Sequence, residues 1–218
     1  KETGQAEINK STIVGAKYAL DNSSSDFMKI IDSEVSNTGN WNYCVRNNSS
    51  GNIEIEESKI SGTYESLAIG GFGSGIITIK SGSIYGQYGA IYNKSATSTI
   101  NVLGGTFTGN SSTVQNYGIL NISNGEIKGG SYETIYNYSG TVNISGGVIN
   151  NTSGYDTIKQ DSGTITVTGG TINHTATGGS GINVVSGTLT LGTKGDTDET
   201  GSLKVSKESP KIISGGYG

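Results

Sequence analysis

The chain is 218 residues long, with 36 glycines, one proline, 32% hydrophobic and 15% charged residues. A formal charge of −4 and a single arginine, Arg46, argue against nucleic acid or an anionic membrane surface as a partner. The one cysteine, Cys44, excludes an intrachain disulfide and a cysteine-built zinc site, and no apolar run reaches the roughly 18 residues that would insert in a membrane.

From the N-terminus onward, two aliphatic residues one apart are followed by a third five positions later. Ala6/Ile8/Ile13 and Met28/Ile30/Val35 open the series. Ile53/Ile55/Ile60, Ile77/Ile79/Ile84, Ile100/Val102/Phe107, Leu120/Ile122/Ile127, Val142/Ile144/Ile149 and Ile165/Val167/Ile172 continue it, and Leu191 begins a degenerate ninth copy. The second residue of each set advances in steps of 20–25, about 23 on average, and an internal period of that size marks a repeat architecture. The i, i+2 spacing is that of a strand, and no window sustains the i, i+3, i+4, i+7 spacing of a helix.

Between the second and third aliphatics lie Ser81-Gly82, Gly104-Gly105, Asn124-Gly125, Gly146-Gly147 and Gly169-Gly170, where glycine lets the chain turn a corner. A third strand then presents an inward aliphatic with an amide two residues on: Leu20/Asn22, Val45/Asn47, Ile91/Asn93, Val114/Asn116, Ile135/Asn137 and Ile158/Gln160, with Leu67/Ile69 and Ile182/Val184 as exceptions. In stacked copies these amides lie above one another, each donating to one coil and accepting from the next, so that no buried amide is left unpaired. The expected fold is therefore all-β, a parallel β-helix or solenoid of about nine coils. It has three short strands per coil and an asparagine ladder of Asn22, Asn47, Asn93, Asn116, Asn137 and Gln160. Each coil supplies about four inward aliphatics, too few to fold alone, so stability belongs to the array.

These residues resemble the right-handed parallel β-helix, or pectin-lyase-like, superfamily, which includes pectate lyases, polygalacturonases, phage tailspikes and bacterial surface adhesins. The resemblance covers residues 4 to about 192 and implies right-handed coiling. The variable coil length argues against the strict hexapeptide repeat of left-handed β-helices. A shared fold does not fix a function. The chain is expected to be one β-helix domain over 1–218, with regular coils about 4–192 and an irregular terminal coil about 193–218. Neither end resembles a polar cap, so a fragment of a larger bacterial or phage protein, secreted or attached to a cell surface, is expected.

Candidate sites follow from the outward residues. Glu54 and Glu56, i, i+2 on one face, could hold calcium or meet a sugar; a solvated acidic edge is the alternative. Asp196, Asp198 and Glu199 offer hard oxygens in a late loop but lack an EF-hand spacing. The paired aspartates, Gly-His-Gly and Arg-Ile-Lys segments of polygalacturonases are missing. His174 reads as an isolated, exposed histidine with no carboxylate within four residues. Cys44 reads as a small residue filling a turn.

Tyrosine is over-represented, at 12 against three phenylalanines and one tryptophan, as suits rings with a wet edge. Tyr18, Tyr43, Tyr64, Tyr88, Tyr132 and Tyr155 fall shortly before the third-strand aliphatic, and Tyr92 and Tyr136 are outward two coils apart. Ligand binding is expected at Trp41, Tyr43, Tyr88, Tyr92 and Tyr136, with tyrosines stacked on each other to cover a turn as the alternative. The expected function is a non-enzymatic adhesin or stalk segment that binds a polysaccharide or a host or neighbouring cell surface, without cofactor except possible calcium. The competing expectation is a polysaccharide lyase or glycoside hydrolase using Glu54, Glu56 or Asp32. The sequence leaves oligomeric state open. Sequons at Asn121 and Asn143 follow from composition.

Overall fold

In a computed structural model, residues 4–40, 42–63, 67–192 and 211–214 are described. Every strand pairing is parallel, and the chain winds into a β-solenoid of eight three-sided coils and part of a ninth. The first face stacks Gln5–Asn9, Phe27–Ile31, Ile53–Glu56, Ile76–Ile79, Thr99–Val102, Ile119–Ile122, the first halves of Thr141–Asn151 and Thr164–His174, and Thr188–Leu191. The second stacks Thr12–Gly15, Glu34–Asn37, Ser58–Gly62, Gly82–Gly86, Thr106–Gly109, Glu126–Lys128, the second halves of the same two long strands, and Lys211–Ser214. The third is an eight-stranded sheet running from Leu20–Asn22 to Ile182–Val184.

The register is set by the aliphatic repeat, because a one-residue slip would turn every inward side chain outward. The residues read as anchors pair in one unbroken column: Ile8, Ile30, Ile55, Ile79, Val102, Ile122, Ile144, Val167 and Leu191. A second-face column runs from Ile13 through Ile84 and Phe107 to Ile172 and then Ile212. Between Ile30 and Ile172 these columns are buried from both sides by neighbouring coils, at roughly 1.5–3 kcal/mol per large aliphatic. Of the stretch expected to form an irregular terminal coil, Lys211–Ser214 pairs in register with the second face.

The corner between the first two faces is made in two ways. Later coils use the glycines, with φ of +112° at Gly82 and +83° at Gly147, and a Cβ at Gly82 would lie 2.1 Å from the Ser58 carbonyl oxygen. The first three coils instead place Lys10, Asp32 and Glu57 in the left-handed region, at φ of 47°, 44° and 50°. A serine column satisfies the backbone N–H groups there: Ser33 Oγ accepts from Ser11 N (3.0 Å), Ser58 Oγ from Ser33 N (3.1 Å) and Ser81 Oγ from Glu57 N (2.8 Å).

The amide ladder runs unbroken over four coils. Asn93 Nδ2 donates to Asn116 Oδ1 (2.9 Å), Asn116 Nδ2 to Asn137 Oδ1 (2.9 Å) and Asn137 Nδ2 to Gln160 Oε1 (3.1 Å). Asn22 and Asn47 share the column, but their amide nitrogens donate within their own coils, to the carbonyls of Asp26 and Gly51. The reading of Leu67/Ile69 needs correction, because Ile69 pairs with Val45 and Ile91 as the inward aliphatic. Gly71 then takes the ladder position between Asn47 and Asn93. A glycine cannot relay the ladder, and Asn47 Oδ1, Asn93 Oδ1 and Ser98 Oγ are buried without a hydrogen-bond partner in the protein.

Candidate functional site

Charge is concentrated on the outward first face of coils two to four. Lys29 pairs in register with Glu54, and Lys80 reaches back from the next coil. Lys80 Nζ lies 2.8 Å from Glu54 and 3.7 Å from Glu56, and Lys29 Nζ 3.3 Å and 3.8 Å from the same two carboxylates. The Lys80 hydrogen bond holds the Glu54 carboxyl below the usual carboxylate range, with burial opposing and Lys29 assisting. That is the reverse of what a protonated general acid requires. Two ammonium groups also stand where a calcium ion would approach these oxygens. Among the described residues no group of three or more His, Cys, Asp or Glu is arranged to hold a metal ion. Asp32 is a corner residue, separate in role from the charged pair.

His174, read as exposed, is fully buried. It ends the strand Thr164–His174 in register with Asn151, its Nε2 donates to the Gly178 carbonyl at 2.5 Å, and its Nδ1 lies 3.3 Å from Thr157 Oγ1. The ring serves packing and polar satisfaction inside the coil. Cys44 is likewise fully buried, in the row of small residues that includes Ala90, Thr113, Thr134 and Thr157, and burial pushes its thiol up to about 12.

Most of the described tyrosines gather on or beside the third face, with Tyr85 on the second. Its outward column reads Asp21, Arg46, Gly70, Tyr92, Gln115, Tyr136, Lys159 and Asn183. A parallel row one residue beyond the ladder contains Phe72, Tyr117 and Tyr138. The two rows interlock: Tyr43 meets Phe72 at 4.8 Å and Tyr92 at 6.1 Å, Tyr92 meets Tyr117 at 6.0 Å, Tyr117 stacks on Tyr138 at 4.5 Å, and Tyr138 on Tyr136 at 3.9 Å. The result is a continuous aromatic strip from coil two to coil six. Arg46 closes one end, 4.1 Å over the Tyr18 ring and paired with Asp21 (Nε to Oδ1, 2.9 Å). Lys159 closes the other, 4.8 Å from the Tyr136 ring centre.

Of the tyrosines read as ligand contacts, Tyr43 and Tyr92 are half-buried within the strip, whereas Tyr88 and Tyr136 meet at its far end. There they bound a cleft of about 270 Å³ with Tyr132, Tyr138, Ser111, Ser112, Gln115 and Glu133. Tyr88 is 36% exposed and Tyr132 46%, so the rim offers open ring area, while Gln115 and Glu133 form a nearly buried polar floor. Tyr136 donates to Asp161 Oδ2 at 2.5 Å, which fixes its ring. Burial first, and the carboxylate of Asp161 second, raise the Tyr136 phenol; burial also pushes Tyr138 up to about 12. Both hydroxyls stay protonated at neutral pH, and that of Tyr136 is committed to Asp161.

Trp41, Tyr64 and the loop bearing Asp196, Asp198 and Glu199 lie outside the described residues. The sequence reading missed Glu133, Gln115 and Tyr138; the place of Tyr138 directly after ladder residue Asn137 is the signal that could have found it. A larger cleft of about 360 Å³ lies beside Asn150 and Asn173, but Asn173 Nδ2 already donates to Asn150 Oδ1 (2.7 Å) and Asn150 Nδ2 to Glu126 (3.2 Å). The sequon residues Asn121 and Asn143 are similarly joined to Asn101 in an outward ladder, with bonds of 2.8 Å. Comparison with protein-family models, curated proteins and solved structures finds no match to this chain.

Proposed function

We propose that the protein is a non-enzymatic adhesin or stalk segment, secreted or displayed on a bacterial cell or phage surface, that binds glycan through the aromatic strip of its third face. On this reading the coils belong with the right-handed pectin-lyase-like β-helices, and the partner is a polysaccharide or the coat of a host or neighbouring cell. The observation that carries the proposal is the cleft at Tyr88, Tyr132, Tyr136 and Tyr138, where open ring area stands over a polar floor. Binding sites for small ligands commonly combine apolar walls with a few placed polar groups, and a sugar ring offers the matching apolar face and hydroxyl edge. The salt-bridged state of Glu54 and Glu56 supports a non-catalytic reading.

A glycan array probed with the native protein and with the Tyr88→Ala/Tyr132→Ala variant tests the proposal. Both rings are exposed, so their loss leaves the core intact. Tyr88 is 36% and Tyr132 46% exposed, and covering each is worth on the order of 1–2 kcal/mol, so the double variant should bind one glycan class at least roughly 10-fold more weakly. Equal binding by both proteins would place the ligand elsewhere.

A further inference from the structure

We propose that the cleft takes an ammonium group, so that the glycan read by this face carries free amino groups; this deepens the glycan reading and rests on it. The floor carboxylate is the starting point. The Glu133 side chain is 9% exposed, yet its nearest partners are Ser112 Oγ at 3.4 Å and Lys159 Nζ at 4.0 Å, both at the outer limit of contact. Other carboxylates in this protein recruit much closer cations while being more exposed: Glu54 holds Lys80 at 2.8 Å, and Glu34 holds Lys59 at 2.6 Å. A buried charge is expected to be the better paired of the two, so Glu133 is the carboxylate with unused capacity.

Its walls have the matching chemistry. Tyrosine faces attract cations held within about 6 Å of the ring centre, and aromatic walls around a carboxylate form a cage for an ammonium group. Lys159 already shows the preference, with its Nζ 4.8 Å from the Tyr136 ring and 3.9 Å from Asp161. It does not complete the site. Glu133 and Asp161 together carry two negative charges against the single charge of Lys159, and while Glu133 Oε1 is the oxygen nearer Lys159, Oε2 has only the 3.4 Å contact from Ser112 Oγ, another residue lining the cleft. A ligand ammonium placed against the open rings of Tyr88 and Tyr132 would neutralise the remaining charge, since Tyr117 and Tyr136 already cover the ring of Tyr138. Ser112 and Gln115 remain beside it for sugar hydroxyls.

The test compares three soluble oligosaccharides of equal length and linkage by titration calorimetry: a β-1,4-glucosamine oligomer, its N-acetylated form and the glucose oligomer. Tetramethylammonium serves as a sugar-free probe, followed by the tyrosine ring resonances in NMR. The glucosamine oligomer is expected to bind the native protein at least 10-fold more tightly than the other two. Glu133→Gln should abolish that preference without weakening the neutral oligomers, and Lys159→Met, which removes the internal competitor, should strengthen glucosamine binding several-fold. Equal affinity for all three oligomers, unchanged by Glu133→Gln, would overturn the ammonium site and leave the glycan reading standing. Glu133-dependent binding of tetramethylammonium with no oligosaccharide bound would instead uphold the cage and overturn the glycan reading. Both variants are first checked for a native unfolding midpoint, and Lys159→Met provides the answer should Glu133→Gln not fold.

Discussion

Replacing Asn116 by alanine asks whether the inner amide ladder holds the coils together. Asn116 is fully buried; its Nδ2 donates to Gly118 O at 3.0 Å, Asn137 Oδ1 at 2.9 Å and Thr141 O at 3.3 Å, and its Oδ1 accepts from Asn93 Nδ2 at 2.9 Å. Truncation removes these bonds, at about 1 kcal/mol net for each fully formed one, and leaves Asn137 Oδ1 without its donor, which adds about 1–3 kcal/mol. The sum is about 3–5 kcal/mol, a large share of the roughly 5–15 kcal/mol that holds a domain folded. Asn121 is the control, because it makes equally short ladder bonds of 2.8 Å on both sides but lies half-exposed, where water replaces what is lost. Its alanine variant should cost less than about 1 kcal/mol. Urea unfolding of both variants, at unchanged slope, measures the difference. A cost for Asn116→Ala within about 0.5 kcal/mol of that for Asn121→Ala would refute the idea that burial gives the ladder its strength.

Cys44 should resist thiol reagents at neutral pH until the protein unfolds, since burial keeps the thiol protonated to about 12. A folded pKa above the unfolded value of about 8.5 means that the unfolded chain releases its proton first; stability is constant below that pH and falls by about 1.4 kcal/mol per pH unit up to the folded value. The raised phenols of Tyr43, Tyr92, Tyr136 and Tyr138 act in the same direction, so thermal unfolding should show a steep alkaline decline, and a flat profile from pH 8 to 11 would contradict the burial of these groups. Gly147→Ala should destabilise by about 1–2 kcal/mol, because its φ is +83° and the added Cβ would sit 2.9 Å from the Gly125 carbonyl oxygen; a neutral effect in urea would contradict the corner geometry. Gly71→Asn alone should not stabilise, since its Cβ would fall 2.6 Å from Ser98 Oγ. Combined with Ser98→Ala it should raise the urea midpoint by bridging Asn47 and Asn93, and a lowered midpoint would show that the gap cannot accept an amide.

The inward half of this fold is legible in the sequence because one requirement, the burial of an aliphatic column, repeats in every coil. Ile8 through Leu191 pair as their spacing demands, and Asn93, Asn116, Asn137 and Gln160 follow from the same count. Errors arise where two residues satisfy the pattern equally well. Leu67 and Ile69 are both aliphatic, and only the neighbouring coils decide that Ile69 faces inward and Gly71 stands in the ladder. The early corners escaped notice because Lys10, Asp32 and Glu57 adopt a backbone shape usually left to glycine, and their serine column carries no hydrophobic signal. Outward chemistry is harder still. Whether Glu54 is a free carboxylate or a lysine-paired one depends on Lys29 and Lys80, 25 and 26 residues away, and the meeting of Glu133 with Tyr88 depends on the lengths of the intervening loops.

The most direct test of the account is migration of the native protein through gels containing the polysaccharide chosen by the array, beside Tyr88→Ala/Tyr132→Ala on the third face and Thr166→Ala on the first. Retardation of the native protein and of Thr166→Ala, lost in the tyrosine variant, is the predicted result. Free migration of all three proteins, or equal retardation of all three, would contradict a glycan-binding surface on the third face.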